Sequence, residues 1–142
     1  MKSFLSPILK NPGVAFRLIN ARTGQVMAQE IGTAFDSASR RKGLLGRDSL
    51  AGGSAIIIAP TNAIHTWFMR FEIDVAFVAR DGRIVKTRQR LRPWRMFGAI
   101  RAFAAIELPG GSLQLSGTEA GDTVRVEPKS DSVKHPSSDG AE

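Results

Sequence analysis

Ala63-Ile64-His65-Thr66-Trp67-Phe68-Met69-Arg70-Phe71-Glu72-Ile73-Asp74-Val75-Ala76-Phe77-Val78 is the most apolar and most aromatic stretch of this 142-residue chain. It holds His65, the only histidine apart from His135 near the C-terminus, and Trp67, one of two tryptophans. In extended backbone, successive side chains leave opposite faces. Ile64, Thr66, Phe68 and Arg70 are therefore expected to point one way, and His65, Trp67, Met69 and Phe71 the other. Residues 73–79 read as a second, buried strand. The Asp81-Gly82 pair that follows is a hairpin signal, and residues 84–91 pair back.

Before this stretch, residues 54–59 form an apolar run bounded by Gly53 and Pro60, which fits a strand buried on both faces. Upstream, residues 14–20 and 25–30 flank Ala21-Arg22-Thr23-Gly24 and predict a hairpin. Asp36 or Ser37 can cap a short helix over 38–45 that Gly46 would end. Downstream, 96–102 reads as loop or bulged strand, and 104–108 as a strand with Glu107 inside it. Pro109-Gly110-Gly111 is a turn, 112–115 one helical turn, and 123–127 a closing strand. Residues 1–12 are expected to be a flexible N-terminus, 13–127 a single globular domain, and 128–142 a disordered, Ser-, Asp- and Pro-rich tail. Together these elements predict an α+β, β-rich fold: a small curled sheet or β-barrel-like domain with one or two short helices.

Composition narrows the chemistry. The 42% apolar content is that of an ordinary globular protein. No apolar run approaches the ~20 residues a spanning helix needs. The apolar start of the chain is short and interrupted by Pro7, so it is read as lead-in and not as an export signal. That favours the cytoplasm and leaves a periplasmic or secreted location open. The absence of cysteine excludes disulfides, thiolate metal sites and cysteine nucleophiles. Net charge is +7. Because the residues from Glu127 onward are net acidic, the body before them carries about +9, which suits a negatively charged partner.

Arg41-Lys42-Gly43-Leu44-Leu45-Gly46-Arg47, the segment from His65 to Phe77, Asp81-Gly82-Arg83-Ile84-Val85 and Ala105-Ile106-Glu107-Leu108-Pro109-Gly110-Gly111 resemble, in order and spacing, the domain of unknown function 192, also filed as uncharacterised protein family 0127. The resemblance covers about residues 34–126. It implies a compact β-barrel-like domain, secreted or membrane-attached in some relatives, and brings no function. Ser54-Ala55 stands where many members have a glycine-methionine pair, a departure that concerns packing.

Two constellations carry chemistry. The first is His65, Trp67, Arg70 and Asp74, with Glu107 from another strand, as a pocket for an anionic or sugar-like molecule. Trp67 would stack on a ring, Arg70 would fork to a carboxylate or phosphate, and Asp74 would accept hydrogen bonds. The same residues allow a hydrolase-type alternative in which His65 is a general base oriented by Asp74 or Glu107. The bland reading is a buried network in which Arg70 pairs with Asp74 or Glu107 and pins two strands. The second constellation is a basic stripe of Lys86, Arg88, Arg90 and Arg92 at alternate positions, continued by Trp94, Arg95 and Arg101. It suits nucleic acid or an acidic surface, and equally an edge strand protected by charge. No metal or cofactor is expected: one histidine with scattered carboxylates matches no zinc spacing. Neither a Gly-x-Ser-x-Gly elbow nor a P-loop occurs.

Overall fold

The structure is a computed structural model and describes residues 2–42 and 48–129. Its elements in chain order are α1 (Ser6–Lys10), β1 (Phe16–Asn20), β2 (Val26–Ala28), β3 (Glu30–Ala34), α2 (Ser37–Lys42), β4 (Ser54–Ile58), β5 (Ala63–His65), β6 (Ile73–Val78), β7 (Ile84–Leu91), β8 (Met96–Gly98), β9 (Ala104–Pro109), α3 (Ser112–Leu115) and β10 (Val124–Pro128). The fold is α+β and β-rich, with three short helices.

Three sheets form: β10-β1-β2, β3-β4-β9-β6-β7 and the ribbon β5-β8. None closes among the described residues, so of the two expected forms, a curled sheet or a barrel-like domain, the barrel does not form. The five-stranded sheet is instead covered on both faces, which buries its centre without closure. One core joins it to the three-stranded sheet through Ile57, Ala76, Val78, Ile106 and Leu108 against Leu18, Met27, Val124 and Val126. The other lies on its opposite face, where Ile56, Ile58, Ile73, Val75 and Phe77 meet Ile64, Met69 and Phe97. This double cover is why β4, β6 and β9 are near-continuous apolar runs.

The local signals act as their chemistry dictates. The β1–β2 hairpin forms. Asp36 caps α2 by accepting from the Ser39 amide at 2.8 Å. The expected continuation of that helix past Lys42 lies outside the described residues, as does the tail from 130 on. At the β6–β7 hairpin Gly82 has φ +95°, and a Cβ there would sit 2.6 Å from the Val124 carbonyl oxygen. Only glycine fits. The N-terminal segment expected to be flexible contains α1. Phe4 donates its amide to the Arg80 carbonyl at 2.9 Å, and Leu5 is 2% exposed in the core.

Candidate binding face around Thr66

The expected alternation along the central stretch stops at His65. β5 is only three residues long and pairs with β8, setting Ile64 opposite Phe97 and His65 opposite Met96. The next residue, Thr66, is fully buried and works as a clamp. Its hydroxyl donates to the Arg92 carbonyl at 2.6 Å and accepts from the Arg95 amide at 2.9 Å. Its backbone amide donates to the Arg95 carbonyl at 2.8 Å, and its carbonyl accepts from the Trp94 amide at 2.9 Å. The segment 92–95 is thereby fastened to the end of β5, and the chain turns there instead of continuing as a strand. Met69 folds back into the core beside Ile64.

The turn places aromatic rings in solvent. Phe68 and Trp94 both adopt left-handed backbone conformations, φ 64° and 65°. Each such conformation costs a non-glycine residue about 1–2 kcal/mol. Their rings touch, with centroids 4.6 Å apart, yet they remain 67% and 57% exposed. Beside them His65 and Trp67 form a second ring pair at 4.8 Å. Met96, opposite His65, is also exposed.

Cations lie along β7 and beside Trp94. β7 is an edge strand of the five-stranded sheet, and Lys86 and Arg88 pair with Phe77 and Val75, which places them on the ribbon's side. Lys86 Nζ donates to the Gly98 carbonyl at 2.8 Å and lies 4.3 Å from the Phe97 ring centre. Arg92 and Arg95 are exposed next to Trp94. The stripe is not straight, however. Between the pairs Val75–Arg88 and Ile73–Leu91 the register slips, with Arg90 at φ 52°. This bulge turns Arg90 away to Glu72, 2.8 Å from its Nη1.

Of the first constellation, the structure brings His65 and Trp67 into ring contact and buries Asp74 and Glu107 away from solvent. Arg70 pairs with Asp48 at 2.7 Å in solvent, not with Asp74 or Glu107. Asp74 is fully buried on the far face of the sheet, where it accepts from the Arg90 and Leu113 amides, both at 2.9 Å. Glu107 is 3% exposed between Ile56 and Val75, and its Oε2 has no hydrogen-bond partner. Burial pushes its carboxyl up to about 7. No carboxylate among the described residues forms an ion pair with His65. No three metal-ligating side chains cluster among the described residues. A cavity of about 590 Å³ lies between α2, β3 and β4, lined by Ile31, Thr33, Ala38, Leu50 and Ile56, and includes none of these residues. Phe68 and Met96 were missed as displayed side chains, because a strand-like pattern gives no sign of a left-handed turn.

No curated protein matches the chain. Two solved structures share its fold. One, from Sinorhizobium meliloti and described as a candidate transcription regulator, has TM-score 0.68 and 20% identity over 80% of this chain and 92% of its own. The other, a protein of unknown function from Novosphingobium aromaticivorans, has TM-score 0.67 and 23% identity over 78% and 83%. The model of DUF192, described as an uncharacterized ACR, matches residues 18–126 and extends the resemblance back into β1, so the chain belongs to the DUF192 family.

Proposed function

We propose that this domain is a binding module that takes an anionic partner on the open face of His65, Trp67, Phe68, Trp94 and Met96, bordered by Lys86, Arg88, Arg92 and Arg95. The observation that carries the reading is the Phe68–Trp94 pair, two large rings held in solvent on left-handed backbone. Packing does not account for it, since neither ring enters a core. Aromatic faces with a cationic border suit a partner that has both negative charge and ring or hydrocarbon surface. The sequence-based pocket contributes His65 and Trp67 to this reading and loses Asp74 and Glu107. The hydrolase alternative lacks the oriented base it requires.

The test is retention on immobilised heparin and inorganic polyphosphate across a salt gradient. The expected result is retention at low salt that falls steeply as salt rises, and falls further in Arg92→Glu/Arg95→Glu. Passage of the wild-type protein without retention, or equal retention of the variant, would overturn it.

A further inference from the structure

Resting on that reading, we propose that the anionic partner is a lipid bilayer surface, into which Phe68, Trp94 and Trp67 dip while Lys86, Arg88, Arg92 and Arg95 lie against acidic headgroups. Several observations favour a bilayer over a single-stranded nucleic acid. A stacking platform needs open ring faces, but here the rings are tilted onto one another, by 59° for Phe68–Trp94 and 31° for His65–Trp67. Met96, 66% exposed, adds aliphatic surface that no base would stack on. The apolar tip is formed by turns, and the cavity between α2, β3 and β4 does not include it. Tryptophan and phenylalanine beside lysine and arginine is the chemistry of the boundary between headgroups and acyl chains. Charge complementarity supplies the rest. Lys86, Arg88, Arg92 and Arg95 have no carboxylate partner among the described residues, whereas Arg70 and Arg90 are already paired with Asp48 and Glu72. Among the described residues no helix is long and apolar enough to cross a membrane.

The chain has a built-in reporter, because its only two tryptophans, Trp67 and Trp94, both lie on this face. Tryptophan emission and co-sedimentation would be measured with vesicles of phosphatidylcholine alone, with phosphatidylglycerol mixed in, and with phosphatidylglycerol carrying brominated acyl chains. Inorganic polyphosphate and oligo-dT serve as lipid-free anions. The expected result is a blue shift and bromine quenching with phosphatidylglycerol vesicles, weak sedimentation with phosphatidylcholine, and loss of both optical signals in high salt. Arg92→Gln/Arg95→Gln should lower vesicle partitioning about thirtyfold, at roughly fivefold per cation. Phe68→Gly should weaken vesicle binding by more than it weakens polyphosphate binding, with both tryptophans retained as reporters. If polyphosphate or oligo-dT binds while phosphatidylglycerol vesicles give no blue shift and no bromine quenching, the bilayer is overturned and the anion-binding face stands. If none of these probes binds, both fall.

Discussion

Asp74 and Glu107 sit on the adjacent strands β6 and β9, one register step apart, and face opposite sides of the same sheet. The pairing sets Asp74 against Leu108 and Val75 against Glu107. Asp74 therefore shares a face with Leu108 and Leu113, where two backbone amides meet it. Glu107 shares the other face with Ile56 and Val75, where its Oε2 meets nothing. Two buried carboxyls a single step apart thus have opposite energetic consequences.

For Glu107, burial raises the folded-state value from 4.5 to about 7. Well below pH 4.5 the group is protonated in both states and its ionisation adds no cost. As pH rises from there towards 7 the unfolded chain releases its proton and the folded one does not, so stability is lost across that window and levels off above it. At about 1.4 kcal/mol for each pH decade between the two values, the loss is about 3 kcal/mol. Glu107→Leu should be more stable than wild type by that amount at pH 8 and nearly equal to it at pH 4. Urea unfolding at both pH values checks this, and parallel pH profiles for the two proteins would refute it.

Asp74 should behave in the opposite way. Asp74→Ala leaves the Arg90 and Leu113 amides without their acceptor, and the loss of two charge-assisted bonds is expected to cost about 3 kcal/mol or more. Asp74→Asn keeps one acceptor oxygen and should lose less. Equilibrium unfolding at pH 7 measures both. A variant as stable as wild type would mean that water replaces the carboxylate, in conflict with its complete burial.

The apolar runs of β4, β6 and β9 were legible because a strand covered on both faces needs little more than hydrophobic residues. The Asp81-Gly82 hairpin and the Asp36 cap were legible because their chemistry is local. Sheet closure was not, since whether β3 meets β7 depends on long-range pairing. The faces of Asp74 and Glu107 were hidden for the same reason: each is fixed by register against a strand some thirty residues away. At the site, Ile64 and Met69 imitate strand alternation while entering the same core from either side of a turn. The regular Lys86–Arg92 alternation likewise conceals the bulge at Arg90.

Asp122 joins β10's end to the first hairpin. It accepts from Asn20 Nδ2 at 2.9 Å, Arg22 Nε at 2.5 Å and the Glu119 amide at 2.9 Å. The Arg22 bond is the largest cause holding its carboxyl well below the usual 3.8. A lowered value contributes stability that is complete above pH 3.8 and is lost as pH falls below it, once the unfolded chain takes up its proton first. Asp122→Asn should be less stable than wild type at pH 6, with the difference shrinking in strong acid. Circular dichroism during acid titration reads this out; a constant difference down to pH 2 would contradict it.

Thr66→Val replaces the clamp hydroxyl with a methyl group of similar size. The Arg92 carbonyl and Arg95 amide lose their shared partner, which is expected to cost about 2 kcal/mol. Trp94 should also lose its fixed position. Near-ultraviolet circular dichroism of the two tryptophans should weaken while the far-ultraviolet signal stays unchanged. An unaltered near-ultraviolet spectrum would show that the backbone bonds of Thr66 suffice.

The last prediction separates display from packing at Phe68 and Trp94. Phe68→Gly/Trp94→Gly relieves about 1–2 kcal/mol of left-handed strain at each position. Against this it forfeits a ring pair worth about 0.5–1.5 kcal/mol and adds about 0.5–1 kcal/mol of backbone entropy per glycine. These terms nearly cancel, so the melting temperature should move by no more than about 5 °C in either direction. Phe77→Ala, at a ring fully buried in the core, is the matched control and should cost about 3–5 kcal/mol. A double-glycine variant that melts near wild type but no longer responds to anionic vesicles would mean that the rings are kept for what they contact outside the molecule. If it unfolds as readily as the Phe77 variant, the rings belong to the structure, and the face they form loses its claim to a partner.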